Sequence, residues 1–292
     1  IPFHAAARGV VAGARQGDAR MANDNILSHE RLRYFKWSAL LMAASIAWYA
    51  VDTPRFGPGG GTVLGYTLGT VGALLIVWLL LFGIRKRQYL GGAGTVRGWL
   101  SAHVYLGLSL LVVATLHTGF QFGWNVHTLA YGLMVAVIAS GVWGVGVYLR
   151  NPGLMSDLLD GKTLEQHAAA LGELDGQARA LAATISPRFL ELVEASAKAP
   201  IGLPGWRRLF RRVPGCATTA AVESLRTDLR ASEREVRDLF ALQFRRLQQL
   251  KRIRAYLRLR AWTEVWLVVH VPLSLALLGA LLAHILAVFT YW

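Results

Sequence analysis

The sequence predicts an all-α protein: a polytopic bundle of about five transmembrane helices, with a long helical insertion between the fourth and the fifth. Three observations predict it. Hydrophobic residues make up 54% of the 292 residues and charged residues only 16%, a balance that belongs to membrane proteins and not to soluble enzymes. Five segments are long and apolar enough to approach or span a hydrocarbon layer of about 30 Å. The charges collect between those segments, and no convincing strand pattern interrupts them.

Residues 1–30 open with IPFHAAARGVVAGARQGDAR, which contains arginine and small residues but no apolar core of a secretory signal. They are read as an N-terminal extension whose composition suits disorder, with Met21 a plausible start. Spans one to four occupy 31–150, at about Trp37–Val51, Thr62–Ile84, Trp99–Phe120 and Val126–Tyr148. The fifth, within 262–292, covers about Trp262–Tyr291. Trp37, Trp48, Trp99, Trp124, Trp262, Trp266, Tyr291 and Trp292 lie at the ends of these segments, where amphipathic rings prefer the interface.

Loop charges orient the bundle. Arg31, Arg33 and Lys36 precede the first span, and Arg85, Lys86, Arg87 and Arg97 separate the second from the third. Twenty Lys and Arg residues follow the fourth, from Arg150 to Arg260. The opposite loops hold only Arg55. Basic loops stay on the cytoplasmic side, so the amino terminus is expected inside and the carboxyl terminus outside. The net charge of +14 then belongs to orientation and to anionic membrane lipid, and a nucleic-acid partner is not expected. The expected location is the bacterial inner (plasma) membrane.

The insertion, 151–261, reads as basic, helical and cytoplasmic. A first helix is expected at about 162–192, then a break punctuated by Pro200, Gly202, Pro204, Gly205 and Pro214. From about Thr218 apolar residues recur at three- and four-residue steps, and no proline intervenes before Pro272, so this helix is expected to run into span five. Its arginines read as a solvated face and membrane tether, or as a docking surface for an acidic partner. His4, His29 and His167 fall in polar segments and are expected to be solvated.

Four other histidines carry the chemistry. His103 and His117 in the third span are fourteen residues apart, and so are His270 and His284 in the fifth. Fourteen residues of helix rise about 21 Å, so each pair lies on one face with a histidine towards either side of the membrane. Ionisable groups at that depth are rare and costly, which makes them functional candidates. With the two helices side by side, His103 faces His270 and His117 faces His284, and two facing imidazoles can ligate one haem iron axially. A proton pathway would mix in Asp, Glu or Lys, and a metal-ion transporter would want carboxylates or clustered histidines. Neither is found between these histidines. Cys216 is the only cysteine, which excludes a CxxCH attachment and an iron–sulfur site, so two b-type haems, held non-covalently, are expected.

Small residues on the ligand face, Gly107 and Ser274, are candidates to receive the macrocycle. Arg85, Lys86, Arg87 and Arg97 are candidates for the propionates at the inner level, though orientation explains them equally well. His127, at the outer start of span four, is a candidate for the outer propionates or for a quinone, or is a plain interfacial histidine.

Histidine pairs fourteen apart on the third and fifth spans resemble the ferric-reductase-like transmembrane domain of ferric reductases and NADPH oxidases. The logic is also similar to the di-haem core of respiratory cytochrome b subunits. The resemblance implies axial ligands at His103 and His270 for one haem and at His117 and His284 for the other. It departs in two respects. No flavin or nicotinamide pattern is readable in the chain, and 151–261 stands where those families have a short connection. The expectation is therefore a membrane cytochrome b subunit carrying electrons between a redox partner subunit, bearing flavin, Fe–S or c-type haem, and a quinone or cytochrome. A stand-alone quinol or superoxide oxidoreductase is the alternative, and a transporter or proton pathway with structural histidines the alternative from another class.

Overall fold

The computed structural model describes residues 29–55, 57–87, 94–202, 209, 216–228 and 234–290. The extension expected at 1–30 therefore lies almost wholly outside the described residues. All regular structure among those described is helical: α1 (His29–Val51), α2 (Val63–Arg87), α3 (Val96–Thr118), α4 (Val126–Leu159), α5 (Leu164–Ile185), α6 (Pro187–Ala197), α7 (Ala217–Asp228) and α8 (Arg234–Thr290). The chain divides into two compact units, Ile1–Val142 with Val269–Trp292, and Trp143–Val268.

Four helical stretches are long and apolar enough to cross a membrane: Val63–Lys86, Val96–Thr118, Val126–Ile185 and Arg234–Thr290. The sequence pattern suggested five. α1 falls short for a simple reason. Glu30, Arg31, Arg33 and Lys36 occupy its first turns, leaving Trp37–Val51 as the apolar part, and fifteen residues rise only about 22 Å. The faces of the crossing helices are those of an integral membrane protein. Leu74, Val77, Leu81 and Ile84 form an exposed apolar stripe on α2, as do Val271, Leu275, Leu282, Leu286 and Phe289 on α8. Water would penalise such stripes, whereas hydrocarbon does not.

In the first unit, α3 is the central element. Thr95 caps its start by accepting from the Gly98 amide. Gly119 ends it in the left-handed region at φ 56°, a conformation glycine takes without penalty. α3 packs closely along α1 and α2. Leu64, Leu68, Val113 and Leu116 form one core against Leu41 and Tyr49. Ile76, Leu110, Met134, Leu277 and Leu281 form another, drawing in α4 and the last part of α8. The Ser38 hydroxyl donates across to the Tyr105 carbonyl at 2.7 Å. α3 and the last part of α8 meet at Leu110, Leu277 and Leu281 and at two pairs of facing histidine rings.

The second unit is a folded helical body with its own core. Thr163 and Gln166 form a capping box at the start of α5, and Ser186 caps α6 with Pro187 in its first turn. The helix expected at 162–192 is therefore two, divided at Ser186. Ala178, Ala182, Val193, Leu225, Val236 and Leu239 pack together. Leu171, Leu250 and Ile253 make a second cluster.

Two expectations fail in this unit. Arg246 does not lie on a solvated face: it is 2% exposed, paired with Asp175 and bonded to Thr218. His167 is not solvated either. It is 3% exposed and hydrogen-bonded to the Leu159 carbonyl at 2.9 Å and to Gln249. Helix periodicity shows which positions share a face, but not that neighbouring helices bury that face. The helix expected from Thr218 appears as α7 and α8, and residues 229–233 lie outside the described ones. α8 then continues unbroken through Pro272 to Thr290, 57 residues and about 85 Å.

Candidate functional site

The candidate site lies wholly in the first unit, between α3 and the last part of α8. His103 faces His270 with ring centres 6.4 Å apart and ring planes at 63°. His117 faces His284 at 6.0 Å and 80°. The two pairs stand fourteen helical residues apart, about 21 Å along the axis. The structure thus brings together both pairs that the spacing predicts.

What surrounds each ring decides which nitrogen it can offer. A backbone carbonyl only accepts, so the 2.7 Å contact between His117 Nδ1 and the Gly65 carbonyl is a donation from Nδ1–H. Neutral His117 therefore presents the lone pair of Nε2. Ser140 gives the same result for His270. Its hydroxyl proton goes to the Val137 carbonyl, so the 2.8 Å contact with His270 Nδ1 is a donation from the imidazole to the serine oxygen. His284 Nδ1 meets His127 Nδ1, where one ring donates and the other accepts. His103 has the Leu79 backbone as its polar neighbour, on α2. Phe82 packs on its ring at 5.1 Å.

A glycine cradle holds His117. A Cβ added to Gly69 would stand 2.7 Å from Cε1 and 2.9 Å from Nδ1 of that ring, and one on Gly60 would stand 3.4 Å from Cε1. Gly65 is equally constrained on its other side, where a Cβ would meet the Gly59 carbonyl oxygen at 2.2 Å. Gly65, Gly69 and Gly72 recur at four and three residues along α2, which turns a smooth strip towards α3 and lets the backbones approach. That spacing was available in the sequence and marks the helix that carries the cradle. Ser140 had no such signal.

The remaining predicted residues divide. Gly107 has open space where a Cβ would lie, and it is one turn from His103. The Ser274 hydroxyl turns back to its own helix and donates to the His270 carbonyl at 2.7 Å. Arg85 directs Nη2 to the Gly94 carbonyl at 2.8 Å. Arg97 is exposed in the first turn of α3, and the side chain of Arg87 lies outside the described residues. His127 is exposed and touches His284, with ring centres 4.5 Å apart. A cavity of about 340 Å³ opens on a neighbouring part of α4, lined by Trp124, Asn125, Thr128, Leu129, Gly132 and Leu133 among others. His127 does not line it.

Among the described residues no three or more His, Cys, Asp or Glu side chains converge to hold a bare metal ion. The chemical offer is two separate pairs of opposed imidazoles. No known protein family matches the chain, and neither a curated protein nor a solved structure does.

Proposed function

We propose that the chain is a di-haem membrane cytochrome b subunit of a multi-subunit oxidoreductase, with His103 and His270 ligating one haem and His117 and His284 the other. One observation carries this reading: the separation of the opposed rings. A metal–imidazole bond of about 2.0–2.1 Å, plus about 1.1 Å from nitrogen to ring centre, puts two trans imidazoles about 6.3 Å apart. The two pairs stand at 6.4 and 6.0 Å. The Nδ1 contacts of His117 and His270 support the same reading, because a ligating histidine commonly donates its other nitrogen to a fixed acceptor. Open space at Gly107, one turn from His103, leaves room for a flat ligand. Bound haem supplies reversible one-electron chemistry. The protein's own part is to hold the rings apart at this distance, set their tautomers and keep water away.

The electron source or sink is a separate polypeptide carrying flavin, Fe–S or c-type haem. Exposed Arg245, Lys251 and Arg252 border a groove of about 710 Å³ in the second unit, a surface suited to an acidic partner. The cavity at Trp124–Leu133 favours one further reading, a quinone acting at the His117–His284 level. The test is gentle solubilisation followed by a reduced-minus-oxidised visible spectrum. Two b-type haems per chain and a second redox-active polypeptide are expected, and an absence of b-type bands would sink the reading.

Orientation completes the proposal. Four qualifying helices plus α1 as a short fifth crossing would place the amino terminus in the cytoplasm of a bacterial inner membrane and the carboxyl terminus outside. A reporter fused after Trp292 is expected to be active only outside, and one fused near Gly172 only in the cytoplasm. Opposite results at both positions would reverse the labels.

A further inference from the structure

The second unit carries a groove whose two walls differ in charge. We propose that it receives an amphipathic helix of the redox partner polypeptide, apolar along its buried face and acidic along the side that meets α8. The inference rests on the reading of a separate redox polypeptide and gives the chemistry of the element that docks.

The walls are two helices. α5 contributes Ala170, Glu173, Leu174 and Gln177, which recur at three- and four-residue steps and so share one face. α8 contributes a longer face, from Phe244 to Ala255, and Leu158 of α4 adds apolar surface. The α8 face rises about 16 Å, three turns of helix. That is the contact length of one guest helix anchored at i, i+3, i+4 and i+7. The groove is an open trough of about 710 Å³, which suits a helix laid along it. Phe244 stands 44% exposed there, stacked on Phe240 with ring centres 6.0 Å apart, and such a ring is a ready anchor.

Charge selects the guest. Arg246 pairs with Asp175, Arg260 pairs with Glu264, and Arg254 donates to the Pro200 and Ile201 carbonyls. Arg245, Lys251 and Arg252, all exposed at the groove, have no ion pair among the described residues. α8 thus leaves three cations along one wall, where acidic side chains would relieve their mutual repulsion and fix the register. Glu173 stands on the facing wall, so the guest's acids belong on the α8 side alone. Other occupants fit less well. Gln177 and Gln248 place exposed amides on the walls, which a peptide can hydrogen-bond and acyl chains cannot. A second copy of this chain would bring a net charge of +14 to a cationic wall. The chain's own residues 203–215 include Arg207, Arg208, Arg211 and Arg212 and no acid, and residues 1–28 set Asp18 and Asp24 beside Arg8, Arg15 and Arg20.

The experiment follows the fluorescence anisotropy of a labelled synthetic helix added to the full chain in detergent. The probe has about 14 residues, with leucines at i, i+3, i+4 and i+7 and glutamates along one flank. A second probe carries lysines in place of the glutamates. The glutamate probe is expected to bind about tenfold more tightly than the lysine probe, and to weaken as salt rises. Arg252→Glu and Phe244→Ala are each expected to weaken it about tenfold. Both residues are exposed, so neither substitution empties a core. Arg179→Glu, exposed on α5 outside the groove, makes the same charge change and should leave binding unaltered. Equal binding of the two probes, equal weakening by Arg252→Glu and Arg179→Glu, or no effect of Phe244→Ala would overturn the inference. It would also fall if Arg252→Glu and Phe244→Ala abolished binding to phosphatidylglycerol vesicles, or self-association of the chain, while the glutamate probe was unaffected. These results would leave the b-type spectrum and a co-purifying redox polypeptide in place. Absence of the bands or of that polypeptide would instead remove the reading, and the inference with it.

Discussion

Replacing any one of His103, His270, His117 or His284 with Ala is expected to lower the haem content from about two per chain to about one. The pairs are separate in the structure, with rings 6.4 and 6.0 Å apart within a pair and about four helical turns between pairs. Each pair offers two imidazoles, and among the described residues no three or more ligand-type side chains converge as a substitute metal group. His127 is the one histidine close enough to complicate this, since it touches His284. Its ring is exposed and stands against His284 and not opposite His117, so loss of His284 is still expected to empty that site. The four variants should fall into two spectral classes, His103→Ala matching His270→Ala and His117→Ala matching His284→Ala. A variant that kept both haems with an unchanged spectrum would show the pairing to be wrong. Crossed classes would mean that the pairs form differently.

Gly69→Ala is expected to empty the His117–His284 site although no ligand is touched. The new methyl carbon would stand 2.7 Å from His117 Cε1, closer than packed atoms tolerate, and the ring is held from the other side by the Gly65 carbonyl. The ring must leave its place, and with it the axial nitrogen. Alanine is the better helix former by about 1 kcal/mol, so general unfolding of α2 is not the expected cause. Gly83→Ala on the same helix is the control, since nothing lies within 4 Å of its would-be Cβ. Haem per chain should fall to about one in the first variant and stay near two in the second. Equal haem in both would dismiss the cradle.

Much of the first unit was legible because the bilayer leaves so few options. Long apolar runs must be helices, and histidines at a fixed helical interval must share a face. Two kinds of information were not legible. One is what stands behind each ligand: Gly65 and Ser140 are 52 and 130 residues away from the rings they serve, and nothing in local pattern links them. The other is burial among the packed helices of the polar segment. Arg246 and His167 look like surface residues in a polar segment, yet helices packed in the second unit enclose both and supply partners through Asp175, Thr218 and Gln249. The same limit explains the small residues. Gly107 kept open space beside it, whereas Ser274 spends its hydroxyl on its own backbone, a choice that depends on geometry and not on spacing.

The facing histidine pairs have a thermodynamic consequence. α1 and α2 hold α3 by close backbone packing, and the last part of α8 meets it through Leu110, Leu277 and Leu281 and at the two imidazole pairs. A ligand held by both members of a pair, as proposed, would tie the carboxyl-terminal helix more firmly to the rest of the bundle and bind only the assembled form. Its occupancy therefore adds to stability as RT ln(1 + [L]/Kd), about 4 kcal/mol at a thousandfold excess over Kd. Haem supply would then govern how much of the chain survives in the cell: in haem-starved cells α8 would come away from α3 more often, and quality-control proteases would reach the chain before electron transfer had any part in its fate.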